Sequence, residues 1–296
     1  MRPETLGHLA MFSFSILVAG SFSLGGLAAP HIDPVALNAV RFAIASLAIW
    51  ITCWLTTGIK RKDLQAPWRY LLLGGVFSFY FVMMFEGLKT ANPVSTSAVF
   101  TFTPIMSAVF GWLLLRQITT RSMALALGIG GIGALWVIFR ADITAVLAFE
   151  IGLGERIFFW GCVAHALYTP LVRLLNRGEP ALTFTFLMLS AACVLLWIYG
   201  WSEIRATDWA NLPTIVYTTI LYTSIFASSM TFFLLQFATM RLPSAKVMAY
   251  TYLIPSWVIL WEIALGNAAP TVYVLGGVAL TVMALLLLLR DETAAS

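Results

Sequence analysis

Stretches of about twenty apolar residues recur from one end of this 296-residue chain to the other. At 1.5 Å per residue, each is long enough to cross a hydrocarbon core about 30 Å thick as a helix. Ten are counted: Gly7 to Ala29, Val35 to Leu55, Tyr70 to Leu88, Val94 to Leu115, Ser122 to Phe139, Ile157 to Leu175, Ala181 to Gly200, Thr214 to Ala238, Ser244 to Leu265 and Thr271 to Leu289. In lipid the backbone has no water to bond, so each segment must satisfy its own N–H and C=O groups, which a helix does. The expected fold is therefore an all-α membrane protein of ten transmembrane helices. Composition agrees: 60% of residues are hydrophobic and 10% charged, against about a quarter charged in soluble domains. The first segment is too long for a usual signal core and is followed by Pro30 in "GGLAAP", a poor cleavage site, so it is read as a retained helix. The longest connection, "RADITAVLAFEIGLGE", holds an apolar piece at 143–149 that is too short to span and is expected at the membrane interface.

The net charge of +4 does not point to nucleic acid, because its distribution is that of a topology signal. With the N-terminus in the cytoplasm, that side collects Arg2, the Lys60 to Lys62 run, Arg69, Arg116, Arg121, Arg173, Arg177, Arg241, Lys246 and Arg290. The other side receives Lys89, Arg140, Arg156 and Arg205, and Arg41 alone falls inside a segment. The positive-inside rule then puts both termini in the cytoplasm of a bacterial-type inner (plasma) membrane. Cys53, Cys162 and Cys193 sit singly in apolar segments without pair spacing, so neither disulfides nor zinc are implied. No HExxH, no paired carboxylates at depth and no Cys/His group suggest an enzyme, a metal site or a cofactor. "GIGGIG", Gly128 to Gly133, lies inside an apolar helix with no strand before it, so Ala126, Gly130 and Ala134 read as a face for close helix packing instead. Most of the eleven tryptophans fall near segment ends, as an interfacial belt does.

The fourth and ninth segments each carry a proline near the middle, Pro104 and Pro255. A proline removes one helical hydrogen bond and clashes with the carbonyl four residues back, here Phe100 and Thr251. The neighbourhoods match without a gap: "NPVSTSAVFTFTPIMSAVFGWLLL" lies over "PSAKVMAYTYLIPSWVILWEIAL", and downstream "GGIGALWVI" from Gly130 resembles "GGVALTVMALL" from Gly276, with a shorter loop between the blocks in the second copy. The chain thus reads as two five-helix repeats, residues 1–140 and 156–296, joined by a connecting loop at 141–155. Five is odd, so the second repeat is inverted, with a pseudo-twofold axis in the membrane plane. Both prolines then fall near mid-membrane, where irregular backbone is tolerated only against protein or water.

These two blocks, together with "EGLKTANPVSTSAVFTFTPIMSAVFG" and "FATMRLPSAKVMAYTYLIPSWVILWE", resemble the drug/metabolite transporter superfamily in its ten-helix branch of two EamA-type repeats. The likeness covers essentially the whole chain, and within the superfamily it is most similar to the aromatic amino acid exporters of the YddG type. Many members carry a "GE" pair where the blocks end; Leu115-Arg116 and Gly266-Asn267 stand here instead, so no role of that glutamate is carried over. The resemblance implies a transporter working by alternating access, with a midplane cavity between helices one, three, four, six, eight and nine, and with Pro104 and Pro255 as hinges.

The charges restrict the substrate. Glu86 and Glu262 lie about a turn from the outer ends of their helices, and Arg41 roughly 10 Å below the outer surface, close enough to snorkel. Arg41 and Glu86 share a depth on nearby helices and are expected to form a structural ion pair. Without a midplane carboxylate a cationic drug is disfavoured, and without a midplane Lys or Arg so is a sugar phosphate. The central turns offer Ser15, Tyr80, Met83, Thr101, His165, Tyr168, Ser229, Thr251 and Tyr252, with Trp257 close by. Hydroxyls and rings suit a solute of zero net charge with an apolar body, such as an amino acid. The expected function is export of aromatic and other neutral zwitterionic amino acids, with the lipid bilayer and the solute as the partners implied and no nucleic acid or obligate protein partner. The alternatives are export of another uncharged or amphipathic metabolite or drug, or a passive channel.

Overall fold

The computed structural model describes residues 3–144 and 151–290. Ten helices among them are long and apolar enough to span a membrane. They are α1 (Pro3–Ala28), α2 (Pro34–Leu55), α3 (Trp68–Leu88), α4 (Pro93–Leu115), α5 (Arg121–Ile138), α6 (Leu153–Leu175), α7 (Ala181–Tyr199), α8 (Thr214–Thr239), α9 (Ser244–Ala264) and α10 (Val272–Leu289). An even number of crossings returns the chain to the side on which it starts, called here the terminal side. The apolar piece at 143–149 lies for the most part outside the described residues.

Helix starts follow from local chemistry. Asp33 accepts from the N–H groups of Val35 and Ala36, at 2.8 and 3.2 Å, ahead of Pro34. Asn92 accepts from the Ser95 N–H at 2.8 Å ahead of Pro93. Each side chain meets otherwise orphaned donors, and a proline in the first turn has no donor to orphan. Pro180, Pro213 and Pro243 take the cap position directly before α7, α8 and α9, in extended backbone and without a side-chain cap bond.

Between helices in lipid there is little hydrophobic driving force, so association depends on close packing of small residues. α5 and α10 meet through Gly133 and Gly277: a methyl on Gly133 would lie 2.6 Å from the Gly277 carbonyl oxygen. On α5, Ala126, Gly130 and Ala134 are all buried, Gly130 under the Tyr252 ring. α3 and α6 cross at Gly87, where a methyl would lie 2.7 Å from the Gly154 carbonyl oxygen. α6 packs along α3 and α4; α1 packs along α8 and α9; and α2 packs on α7.

α4 and α9 are both interrupted one turn before their prolines. α4 consists of Pro93–Phe100 and Thr103–Leu115. α9 passes through a 3-10 stretch at Tyr250–Leu253 before Ile254–Ala264. The breaks touch, with the Thr103 and Thr251 hydroxyls 3.2 Å apart. The carbonyls they displace are met inside the protein. Phe100 O accepts from the Thr103 hydroxyl at 2.7 Å, Thr251 O from the Ile254 N–H, and Tyr252 O from the Thr281 hydroxyl of α10 at 3.0 Å. α8 has a different irregularity, a π-helical stretch at Ile225–Met230.

Candidate solute-binding site

The buried centre is a cluster of rings. Phe77 of α3 lies 4.2 Å from Tyr168 and 5.3 Å from His165, both of α6, and 4.4 Å from Phe232 of α8. His165 is also edge-on to Tyr80 at 4.5 Å and to Phe100 at 4.9 Å. Each such ring pair contributes about 0.5–1.5 kcal/mol beyond its buried area.

Inside this cluster is a void of about 10 Å³, room for roughly one water. α3 lines it with Phe77, Tyr80, Phe81 and Met84, and α1 with Phe14, Val18 and Ser21. Those spacings put each set on one helix face. His165 enters from α6, and Ala227, Thr231 and Phe232 from α8. Three polar atoms on the lining, Ser21 Oγ, His165 Nδ1 and Thr231 Oγ1, are buried without a hydrogen-bond partner. One turn along the same face of α8, Gln236 is 1% exposed and neither atom of its amide is partnered. A buried polar group left unpaired costs about 1–3 kcal/mol. Three around one void make this the candidate site.

Arg41 lies behind this lining. It is fully buried and does not snorkel outward: its guanidinium meets α8 at half that helix's length. Nε donates to Ser228 Oγ at 2.7 Å, Nη2 to Ala227 O at 2.8 Å and Nη1 to Asn38 Oδ1 at 3.5 Å. Its central carbon stands 3.9 Å from the centre of the Phe81 ring. The expected Arg41–Glu86 pair is not made among the described residues; Glu86 instead binds Lys89 at 2.7 Å on the surface. Lys89 lies one turn from Glu86 at the helix end, whereas Arg41 points into the bundle. The reading that the middle of the membrane holds no Lys or Arg is corrected with it.

Of the sequence-derived candidates, Tyr80 and His165 line the void, and Tyr168 reaches it through Phe77. The others do not line it. Ser15 accepts from Trp257 Nε1 at 3.2 Å. Met83 packs beside Gly161. The Thr101 hydroxyl bonds Ala98 O, and Thr251 faces Thr103. Tyr252 aims its hydroxyl at Leu127 O, and Ser229 bonds Ala45 O and Ser224 O. Pro104 and Pro255 stand in the first turn after each break. The lining comes from α1, α3, α6 and α8, without α4 and α9, because the broken helices spend their displaced groups on each other and on α10. Ser21, Phe77, Phe81 and Thr231 are not singled out by sequence, although the Phe77, Tyr80, Phe81, Met84 stripe has the helical spacing that marks the α3 side of the lining.

A ten-helix bundle with polar atoms left open among buried rings is the architecture of a polytopic membrane protein that handles a small solute. The EamA-like transporter family model matches residues 5–139 and 152–290, and the chain belongs to that family: it is a membrane transporter. It is 26% identical over 275 residues to the uncharacterized transporter YyaM of Bacillus subtilis (strain 168), covering 92% of this chain and 90% of that one. It is 24% identical over 262 residues to the uncharacterized transporter YvbV of the same strain, covering 86% and 81%. A protein solved by crystallography superimposes with a TM-score of 0.73 at 19% identity over 99% of each chain, a likeness of fold.

Proposed function

We propose that this transporter exports amino acids with aromatic or other apolar side chains across the inner membrane, by alternating access around the void at His165. The observation that carries this reading is the pairing of ring walls with three unpartnered polar atoms, Ser21 Oγ, His165 Nδ1 and Thr231 Oγ1. Rings accommodate an apolar body, and the open polar atoms orient a charged but compact end. The likeness to aromatic amino acid exporters of the YddG type fits the same lining.

The two halves work as inverted repeats in this proposal. Its support is the matching of contacts: α6 packs on α3 and α4 as α1 does on α8 and α9. At equivalent places Arg69 of α3 bonds Leu175 O at the end of α6, and Thr219 of α8 bonds Leu24 O near the end of α1. The closed centre favours a carrier over an open pore. Admitting a solute requires the rings to part, and the breaks in α4 and α9 let half-helices move while their neighbours stay.

The test is uptake of radiolabelled phenylalanine, threonine and a cationic dye into liposomes holding the purified protein, with and without a pH gradient. Saturable amino acid flux stimulated by counter-substrate, with no dye flux, is expected. Dye flux without amino acid flux would overturn the substrate class, and non-saturable flux would make the protein a pore.

A further inference from the structure

We infer that Arg41 is a concealed anchor for the carboxylate of the transported solute, screened from the central void by the Phe81 ring. The inference rests on the void being the transport site, and it sets which end of the solute the site selects.

Arg41 is a fully buried cation whose partners in the structure are all neutral: a hydroxyl, a backbone carbonyl and an amide. Those three bonds engage three of the five N–H groups of a guanidinium, leaving one on each Nη. A structural task is present, since the π-helical turn of α8 displaces carbonyls and Arg41 meets that of Ala227. A neutral glutamine would do that without burying a charge. A permanent charge in mid-membrane is expensive, and an ionisable residue there marks a substrate or ion pathway by default.

The route is short. Phe81, whose ring lies against the guanidinium, and Ala227, whose carbonyl receives Nη2, both line the void. Rotation of one ring brings the free N–H groups to the cavity, where their planar fork matches a carboxylate. Ser21 Oγ, Thr231 Oγ1 and His165 Nδ1 then receive the ammonium, and the rings take the apolar body. A solute bearing one carboxylate is selected over its amide, because the amide leaves Arg41 as unpaired as before.

The experiment measures efflux of radiolabelled L-phenylalanine from liposomes containing the full chain, competed by 3-phenylpropionate, which keeps the carboxylate, and by L-phenylalaninamide, which replaces it. Wild type is expected to be inhibited at a concentration at least tenfold lower by the acid than by the amide. Arg41→Gln should abolish that preference. Asn38→Asp, which sets a carboxylate beside Nη1 and occupies the guanidinium internally at the loss of the amide's bonds to Pro34 O and Phe81 O, should do the same, with its folding checked by the thermal midpoint. Equal inhibition by acid and amide in wild type, or a preference that survives in Asn38→Asp, would overturn the Arg41 assignment while leaving the transport site standing. Absence of saturable flux and of any competition would remove the amino acid reading of the site, and this inference with it.

Discussion

Two arginines are buried among the described residues, and they are held in opposite ways. Arg69, 1% exposed at the terminal-side start of α3, is surrounded by acceptors. It donates to Leu175 O at 2.6 Å, Gln65 O at 2.9 Å, Ala66 O at 3.3 Å and the Glu179 carboxylate at 2.7 Å. Glu179 in turn accepts the Arg177 N–H at 2.6 Å. Arg41, fully buried at mid-bundle, has only neutral partners and donors to spare. A closed network ties α3 to the α6–α7 connection and is structural. An open one beside a void with unpartnered polar atoms is what the proposed solute site requires. Burial alone does not separate the two; the number of satisfied groups does.

Stability measurements on the two arginines should therefore diverge, and the largest effect belongs to Arg69. Arg69→Gln leaves the Glu179 carboxylate buried without its cation and is expected to cost about 3–5 kcal/mol, seen as a large drop in the thermal midpoint of the purified protein. Arg41→Gln removes a charge that lacks a counter-charge, so lost hydrogen bonds are offset by relief of desolvation, and the shift should stay within about 1–2 kcal/mol. If Arg41→Gln proved the more damaging, Arg41 would be the structural staple and the contrast would reverse.

Acid should act on one arginine network and spare the other. Burial alone would raise the Glu179 carboxyl, but the bonds from Arg69 and the Arg177 N–H outweigh it and hold the group below its ordinary 4.5. The stability this gives is fully present above the unfolded value and drains away as pH falls through the lower folded value. Wild-type protein should thus lose stability below about pH 4.5, and Glu179→Gln, less stable at neutral pH, should show a flatter acid limb. An identical acid limb in both would mean that other carboxylates dominate.

The same contrast explains what the sequence disclosed and what it withheld. Ten helices were legible because an apolar run of spanning length has few other folded forms. Their ends moved, as where α6 begins at Leu153 and takes in Glu155 and Arg156, since a charge can stay helical once outside hydrocarbon. The breaks were legible from Pro104 and Pro255, but not where their carbonyls go, which depends on the hydroxyls of Thr103 and, twenty-nine residues past Tyr252, Thr281. Arg41 misled for a related reason: its position gives the depth of the backbone, while a long side chain decides where the charge sits. Hydroxyls such as Ser21 and Ser15 look alike in a row of letters. Only packing shows that Ser15 has Trp257 and that Ser21 has no partner.

The smallest effect on stability, and the finest test of the contrast, lies at the prolines. Each stands in the first turn of the half-helix that follows its break, where its missing N–H costs that half-helix no bond of its own and leaves open only the bond across the break. In Pro104→Ala a new N–H can reach Phe100 O, which the Thr103 hydroxyl already satisfies, so the gain and the loss nearly cancel. Stability should change by less than about 1 kcal/mol for Pro104→Ala and Pro255→Ala alike, with membrane insertion intact. Flux is a different quantity: a helix free to close its break bends less readily, so counterflow of phenylalanine should slow in both variants while the preference for the carboxylate, set at Arg41, is unchanged. Unaltered rates in both would leave the breaks as packing joints and move the hinge elsewhere, with the π-helical turn of α8 beside Arg41 as the next candidate.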